Sequence, residues 1–296
     1  MTGVQTCALP IFMKDVVVGC ITNYNFNSIK QWVNSLDRSG FSGEKLMICY
    51  NIDYSVCDEL AKRNYKVYGF QKNDELKKLE YTKEFSIVVE RFVHIWYFIN
   101  QMMKSEDIRY LIATDVKDVI FQYDPVKWLE ENLGNHTINV GSESVTYENE
   151  KWGENNMLQS FGPLILDHVK NNTIYNAGTI AGIGKDLIDL MLNVYLICNG
   201  MPGQINGGGG PDQAALNILL NTEAYKKITK FNKSEDGWCA QLGTTGPTSG
   251  CLNYIHEPSP IMENGIVKTN EGKPFALVHQ YDRIPEWKKI IEEKYS

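Results

Sequence analysis

The segment spanning residues 109–125 constrains the fold more than any other. Its apolar run, Tyr110 to Ala113, ends abruptly in carboxylates at Asp115 and Asp118. A continuous apolar run of that length, bounded by polar residues, reads as a strand buried on both faces. Strands and helices alternate around it. Residues 15–21, 45–50, 66–70 and 109–114 have strand character, and residues 27–39, 55–63 and 82–104 have helical character. Such alternation predicts an α/β domain, a parallel sheet covered by helices. In open sheets of this kind, ligands sit just beyond the carboxyl ends of the strands. The two acids stand at such an end.

The second half is less regular. Residues 128–132 predict a short helix, 137–141 a strand and 143–159 a polar, tryptophan-bearing loop. Residues 174–183 read as a strand interrupted by Asn176, Ala177 and Gly178. Residues 185–198 carry helical spacing at Leu187, Ile188, Met191, Leu192 and Tyr195. A glycine tract at 207–210 leads into Pro211, Asp212 and Gln213, which is helix-start chemistry for residues 211–220. The tail predicts a strand at 275–279 and a charged helix at 286–294. Nothing marks a domain boundary, so a single domain is expected over 13–296.

Composition narrows the partners. The 296 residues, 43% hydrophobic, suffice for one large buried core. A net charge of −7 without a long basic run argues against nucleic acid or an anionic membrane. The most hydrophobic stretch, 85–103, is interrupted by Glu90, Arg91, His94, Asn100 and Gln101, so it reads as a core helix and not a membrane span. Absence of any Cys-X-X-Cys pair disfavours zinc and dithiol chemistry. Cys239 and Cys251 flank a Gly/Thr-rich loop and could pair under oxidising conditions, but reduced thiols in a cytoplasmic protein are expected. Residues 1–12 lack a basic n-region, and Pro10 breaks their apolar stretch, unlike a signal segment. They resemble the conceptual translation of a sequencing adapter, which puts the natural start near Met13.

Two acids delivered by a rigid strand can hold a divalent cation. The plain alternative is that Asp115 and Asp118 cap a turn. Asp124 before Pro125 reads as helix-start punctuation. The stretch from Gly182 to Asp186 has the wrong glycine spacing for a phosphate loop. No Gly-X-Gly-X-X-Gly follows the first strand either, so dinucleotide and ATP readings weaken.

Four stretches in order carry a resemblance: Thr22 to Asn25, Thr114 to Asp118, Asn176 to Gly178 followed by Asp212 and Gln213, and Val278 with His279. Their skeleton resembles GT-A nucleotide-sugar transferases, most like the retaining, family-8-type group. The resemblance implies a Rossmann-like GT-A domain with a mixed, mainly parallel sheet. It implies metal-dependent transfer of a sugar from a nucleotide-diphosphate donor, UDP foremost, to an acceptor hydroxyl, with retention. Asp115, Asp118 and His279 would hold Mn²⁺ or Mg²⁺, the imidazole favouring Mn²⁺. Asn23 and Tyr24 would take the base, Arg91 the phosphate or sugar. Asn176 and Gly178 would lie below the donor, the glycine leaving room for it. Asp212 and Gln213 would form the catalytic pair, offering a polar oxygen to the sugar's far face.

The chain departs from that pattern once. The second acid comes three positions on, at Asp118, with Lys117 in the usual place. A shifted turn, one ligand fewer or a lost metal would each account for this. Bland roles stand beside each assignment. Arg91 could pair with Glu90 or another buried acid, His279 could be a structural hydrogen-bonder, and Asp212 could be a first-turn acid favoured by the helix dipole. Arg283 suits either a phosphate or a salt bridge to Asp282 or Glu286. Two rivals remain. A nucleotidyltransferase would want a Gly-rich basic loop after the first strand, which is absent here. A non-catalytic carbohydrate-binding or scaffold protein on a degenerate transferase fold draws its support from the shifted acid. The acceptor (glycan, protein or small molecule) stays open, with residues 143–160 expected on its side.

Overall fold

The computed structural model describes residues 13–81 and 86–296. The expectations for residues 1–12, and for the first turn of the helix at 82–104, fall outside the described residues. The first half runs β1 (Met13–Thr22), α1 (Lys30–Arg38), β2 (Glu44–Tyr50), α2 (Tyr54–Lys62), β3 (Tyr65–Tyr68), α3 (Ile87–Met102) and β4 (Asp107–Thr114). The second half continues with β5 (Val119–Phe121), α4 (Pro125–Asn132), β6 (Ile138–Thr146), α5 (Lys151–Val169), β7 (Thr173–Tyr175) and β8 (Thr179–Ile183). Then come α6 (Gly184–Cys198), α7 (Asp212–Leu220), β9 (Thr229–Asn232), β10 (Cys239–Gln241), β11 (Leu277–His279) and α8 (Pro285–Lys294), among shorter elements.

The central sheet has the order β7-β6-β8-β4-β1-β2-β3, with β9 also beside β6. Pairs β1/β2, β1/β4, β2/β3 and β6/β9 are parallel, and β8 runs antiparallel to both β4 and β6. Alternate residues of β1 explain why the strand reads as unbroken apolar sequence. Val16 and Val18 join Leu46, Ile48 and the α3 and α6 residues Ile95, Ile99, Leu187 and Met191 on one face. Val17 joins Met47, Cys49 and the α1 residues Trp32, Val33 and Leu36 on the other. Each such side chain stabilises the fold by about 1.5–3 kcal/mol on full burial. Trp32 also donates its indole N–H to Thr114 Oγ1 at 2.8 Å, tying α1 to the tip of the acid-bearing strand.

Two expectations need correction. Residues 143–159 are not a loop: β6 continues to Thr146, and α5 begins at Lys151. That helix bends at Gly162 (φ 81°), just before Pro163. Its polar face misleads because part of it is answered by protein groups. Trp152 Nε1 donates to Gly208 O at 3.1 Å, Asn155 Nδ2 to Asn206 O at 2.7 Å and Asn156 Nδ2 to Gly210 O at 2.8 Å. These bonds hold the glycine tract, in which Gly207, Gly208 and Gly209 all have positive φ. Secondly, the expected strand at 275–279 forms, as β11, but its neighbours β10 and β5 in a small sheet of order β10-β11-β5 are new, because strands of three residues carry almost no periodic signal. Asp124 does punctuate a helix start, accepting from Val126 N at 3.0 Å with Pro125 in the first turn. The six described cysteines are free, Cys239 and Cys251 among them. No helix among the described residues is long and apolar enough to cross a membrane.

Candidate active site at the carboxyl end of the sheet

Register brings the site together. In the β1/β4 pair Gly19 lies opposite Thr114, so the residues after both strands emerge side by side. A methyl on Gly19 would come within 2.5 Å of Val116 Cγ2, so its absence lets the chain turn sharply over β1 after the acid strand. In the β8/β4 pair Thr179 lies opposite Thr114, and Asp115 N donates to Gly178 O at 2.7 Å. In the β11/β5 pair His279 lies opposite Val119, and Gln280 N donates to Asp118 O at 2.8 Å. Chain segments around residues 19, 115, 178 and 279 therefore meet at one point.

At that point Asp115, Asp118 and His279 offer ligand atoms that all lie within 4.8 Å of one another. His279 Nε2 stands 3.6 Å from Asp115 Oδ2 and 3.8 Å from Asp118 Oδ1. Lys117 is exposed, while Val116 is buried. The turn after β4 thus brings Asp115 and Asp118 together on the inner side and leaves Lys117 outside. Gly178 stands directly against two of these side chains and also lines the cleft beside them. A Cβ there would stand 2.6 Å from Asp115 Oδ2 and 2.9 Å from His279 Cε1. The room it leaves is filled by these side chains.

Electrostatics follow from this crowding. Burial opposes charge on Asp115, but Arg91 and His279 outweigh it and hold the carboxyl well below its ordinary range. Asp118 is pushed up by burial, against the pull of His279. Burial lowers the His279 pKa, yet Asp118 and Asp115 overcome this and raise it. Arg91, partly buried on α3, bridges the site: it pairs with Asp115, donates to Asp212 Oδ2 at 3.1 Å and to Ala177 O at 3.2 Å. Its acids are therefore Asp115 and Asp212, whereas Glu90 accepts from Tyr81 Oη.

A cleft of about 610 Å³ opens beside the three residues, within the usual range for small-ligand sites. Its walls include Arg91, Asp115, Asn176, Gly178, Asp212, Gln213, His279 and Arg283, together with Trp152 and the glycine tract. Neither Asn23 nor Tyr24 is among the residues that line this cleft. Asn23 is exposed with φ 53°, and half-buried Tyr24 has its pKa raised by burial and by nearby Asp115 and Asp118. Arg283 is largely exposed, with only a long 3.9 Å approach to Asp282.

The sequence reading missed Glu143. It is buried on β6, lines the cleft, and accepts at Oε1 from Asn176 Nδ2 (2.6 Å) and Gln213 Nε2 (3.3 Å). Among the described residues, no hydrogen bond reaches its Oε2. Burial raises its pKa. Asn176 and Gln213 thus spend their amide groups largely on protein: Asn176 Oδ1 accepts from Gly178 N at 2.6 Å, and Gln213 Oε1 from Ala177 N at 3.2 Å. A charged residue among small ones inside a strand, in the run from Gly141 to Val145, was the available signal.

No family model matches the chain, and no curated protein matches it in sequence. Among solved structures it is similar to the apo structure of WbbM, a bifunctional glycosyltransferase, with TM-score 0.58 at 13% identity. The match covers 97% of this chain and 52% of that one, so this chain spans about half its length. The shared fold is a mixed α/β domain with a central, mostly parallel sheet flanked by helices, consistent with the GT-A type.

Proposed function

We propose that the chain is a metal-dependent glycosyltransferase that moves a sugar from a nucleotide-diphosphate donor, UDP-linked in our reading, to an acceptor hydroxyl. The observation that carries it is the convergence of Asp115, Asp118 and His279 where the sheet ends, beside a cleft. Two carboxylates and one imidazole fit Mn²⁺ better than Mg²⁺, which prefers all-oxygen surroundings. Bound there, a divalent cation would supply Lewis-acid neutralisation of the departing diphosphate. Arg283 would add a cation to the same phosphates, while Asn23 and Tyr24 would meet the base. Arg91 would steady Asp115 and Asp212 at the donor's edge. On the sugar side stand Asn176, Asp212, Gln213 and Glu143. The free Glu143 oxygen is the group best suited to stabilise positive charge at the anomeric carbon. Retention rests on the family resemblance. Trp152, beside the glycine tract, supports an acceptor side formed by the start of α5.

A thermal shift tests the reading. UDP with Mn²⁺ at about 100 times its Kd should add about 2.7 kcal/mol of stability, raising Tm by about 5 °C. Mn²⁺-dependent hydrolysis in a nucleotide-sugar screen should accompany it. An unmoved Tm with no turnover of any donor would favour the scaffold reading.

Gly178→Ala gives a sharper check. The new methyl must push Asp115 or His279 aside, so Mn²⁺ affinity should fall about 10- to 100-fold, as when ligands are mis-oriented. Overpacking should cost about 1–3 kcal/mol of stability. Calorimetric Mn²⁺ binding equal to wild type would show that the methyl is absorbed elsewhere.

A further inference from the structure

We infer that Gln241 is a positioning residue that dictates which ring nitrogen of His279 carries hydrogen, keeping Nε2 free to bind a cation. The inference rests on the metal reading above and extends it by one shell. Gln241 is buried at the end of β10, and the parallel β10/β11 pairing makes it the direct register partner of His279. Its Oε1 lies 2.7 Å from His279 Nδ1. Its Nε2 donates to Thr179 Oγ1 at 3.1 Å, on the neighbouring strand β8. Gly141 on β6 leaves space for that amide, since a Cβ there would stand 3.3 Å from Gln241 Nε2.

A neutral imidazole bears one N–H, and its partners choose where. A carbonyl oxygen at Nδ1 can only accept, so the hydrogen stays at Nδ1. The lone pair is then left on Nε2, the nitrogen that faces Asp115 and Asp118 at 3.6 and 3.8 Å. Were the amide turned over, its NH₂ would meet Nδ1. The ring hydrogen would then be forced onto Nε2, where the cation must sit. In the orientation seen here the amide nitrogen has Thr179 Oγ1 as its acceptor, so both ends of the side chain are partnered. Outer partners of this kind generally fix the orientation and basicity of metal-bound histidines.

The test measures Mn²⁺ binding by calorimetry and by electron spin echo spectroscopy, which detects a directly bound imidazole nitrogen. Wild type should bind Mn²⁺ with a nitrogen signal. Gln241→Leu, similar in size but without an acceptor, should bind about 10- to 100-fold more weakly, with the nitrogen signal reduced. Gln241→Glu accepts at Nδ1 and can take the Thr179 hydroxyl as a donor, so it should restore affinity and nitrogen signal alike. Should the leucine variant fail to fold, ¹⁵N-histidine NMR of wild type loaded with Mg²⁺ decides, using His279→Asn for assignment. Hydrogen on Nδ1 supports the inference, and hydrogen on Nε2 overturns it. Equal affinity and nitrogen signal in wild type and Gln241→Leu would overturn it while leaving the metal reading intact. Wild type that binds no Mn²⁺ would overturn both.

Discussion

Asp115→Asn is expected to lower kcat/KM for donor turnover by at least about 1000-fold, because a metal's charge neutralisation is worth several kcal/mol. Asparagine keeps the shape of the side chain and leaves the backbone bond from residue 115 to Gly178 O untouched. Arg91 retains Asp212 and Ala177 O as partners, so the buried guanidinium is not stranded. The lost element is the negative oxygen that faces His279 across 3.6 Å. Mn²⁺ affinity should fall with activity, while metal-free Tm stays within a few degrees of wild type. Donor hydrolysis at fixed Mn²⁺ and calorimetry on both proteins check this. Equal turnover would remove the acid strand from the chemistry.

The parts of the site legible in the sequence are those delivered by strand ends. Asp115 and His279 each interrupt a short apolar run, and an abrupt polar residue after such a run has few structural explanations. Asp118 was harder, since only the turn geometry shows that positions 115 and 118 point inward while Lys117 points out. Glu143, with only a weak signal, and Gln241, with none, were harder for another reason. Each is a polar residue within a strand, and its meaning comes from partners set by cross-strand register, such as Thr179 for Gln241. At Gly178 the sequence shows the missing side chain but not its neighbours, among them Asp115 and His279. Helix α5 was hidden because its asparagines and Trp152 satisfy the backbone of the glycine tract, so its polar face looks like loop composition. Sequence periodicity records burial from water, and it does not record which polar groups are answered by other parts of the chain.

Glu143→Gln should lower kcat about 100- to 1000-fold, the usual loss when a fixed electrostatic partner of the transition state is removed, with UDP and Mn²⁺ affinities near wild type. Asn176 Nδ2 and Gln213 Nε2 both donate to Oε1. A glutamine must therefore keep its carbonyl oxygen there and turn its NH₂ into the place of Oε2. The cleft would then meet a hydrogen-bond donor where wild type presents a negative oxygen, at no change in volume. Stability should move the other way. Burial raises the Glu143 pKa, so the folded state disfavours the ionised form. At neutral pH that form costs wild-type stability, whereas below the unfolded value, about 4.3, the group is protonated in both states and the cost vanishes. The variant should accordingly melt above wild type at pH 7 to 8, and the gap should close as pH falls toward 4. Steady-state kinetics with paired melting curves across that range measure both effects. Unchanged kcat would exclude Glu143 from the chemistry, and a variant less stable at every pH would mean that its oxygens serve only to hold the strand.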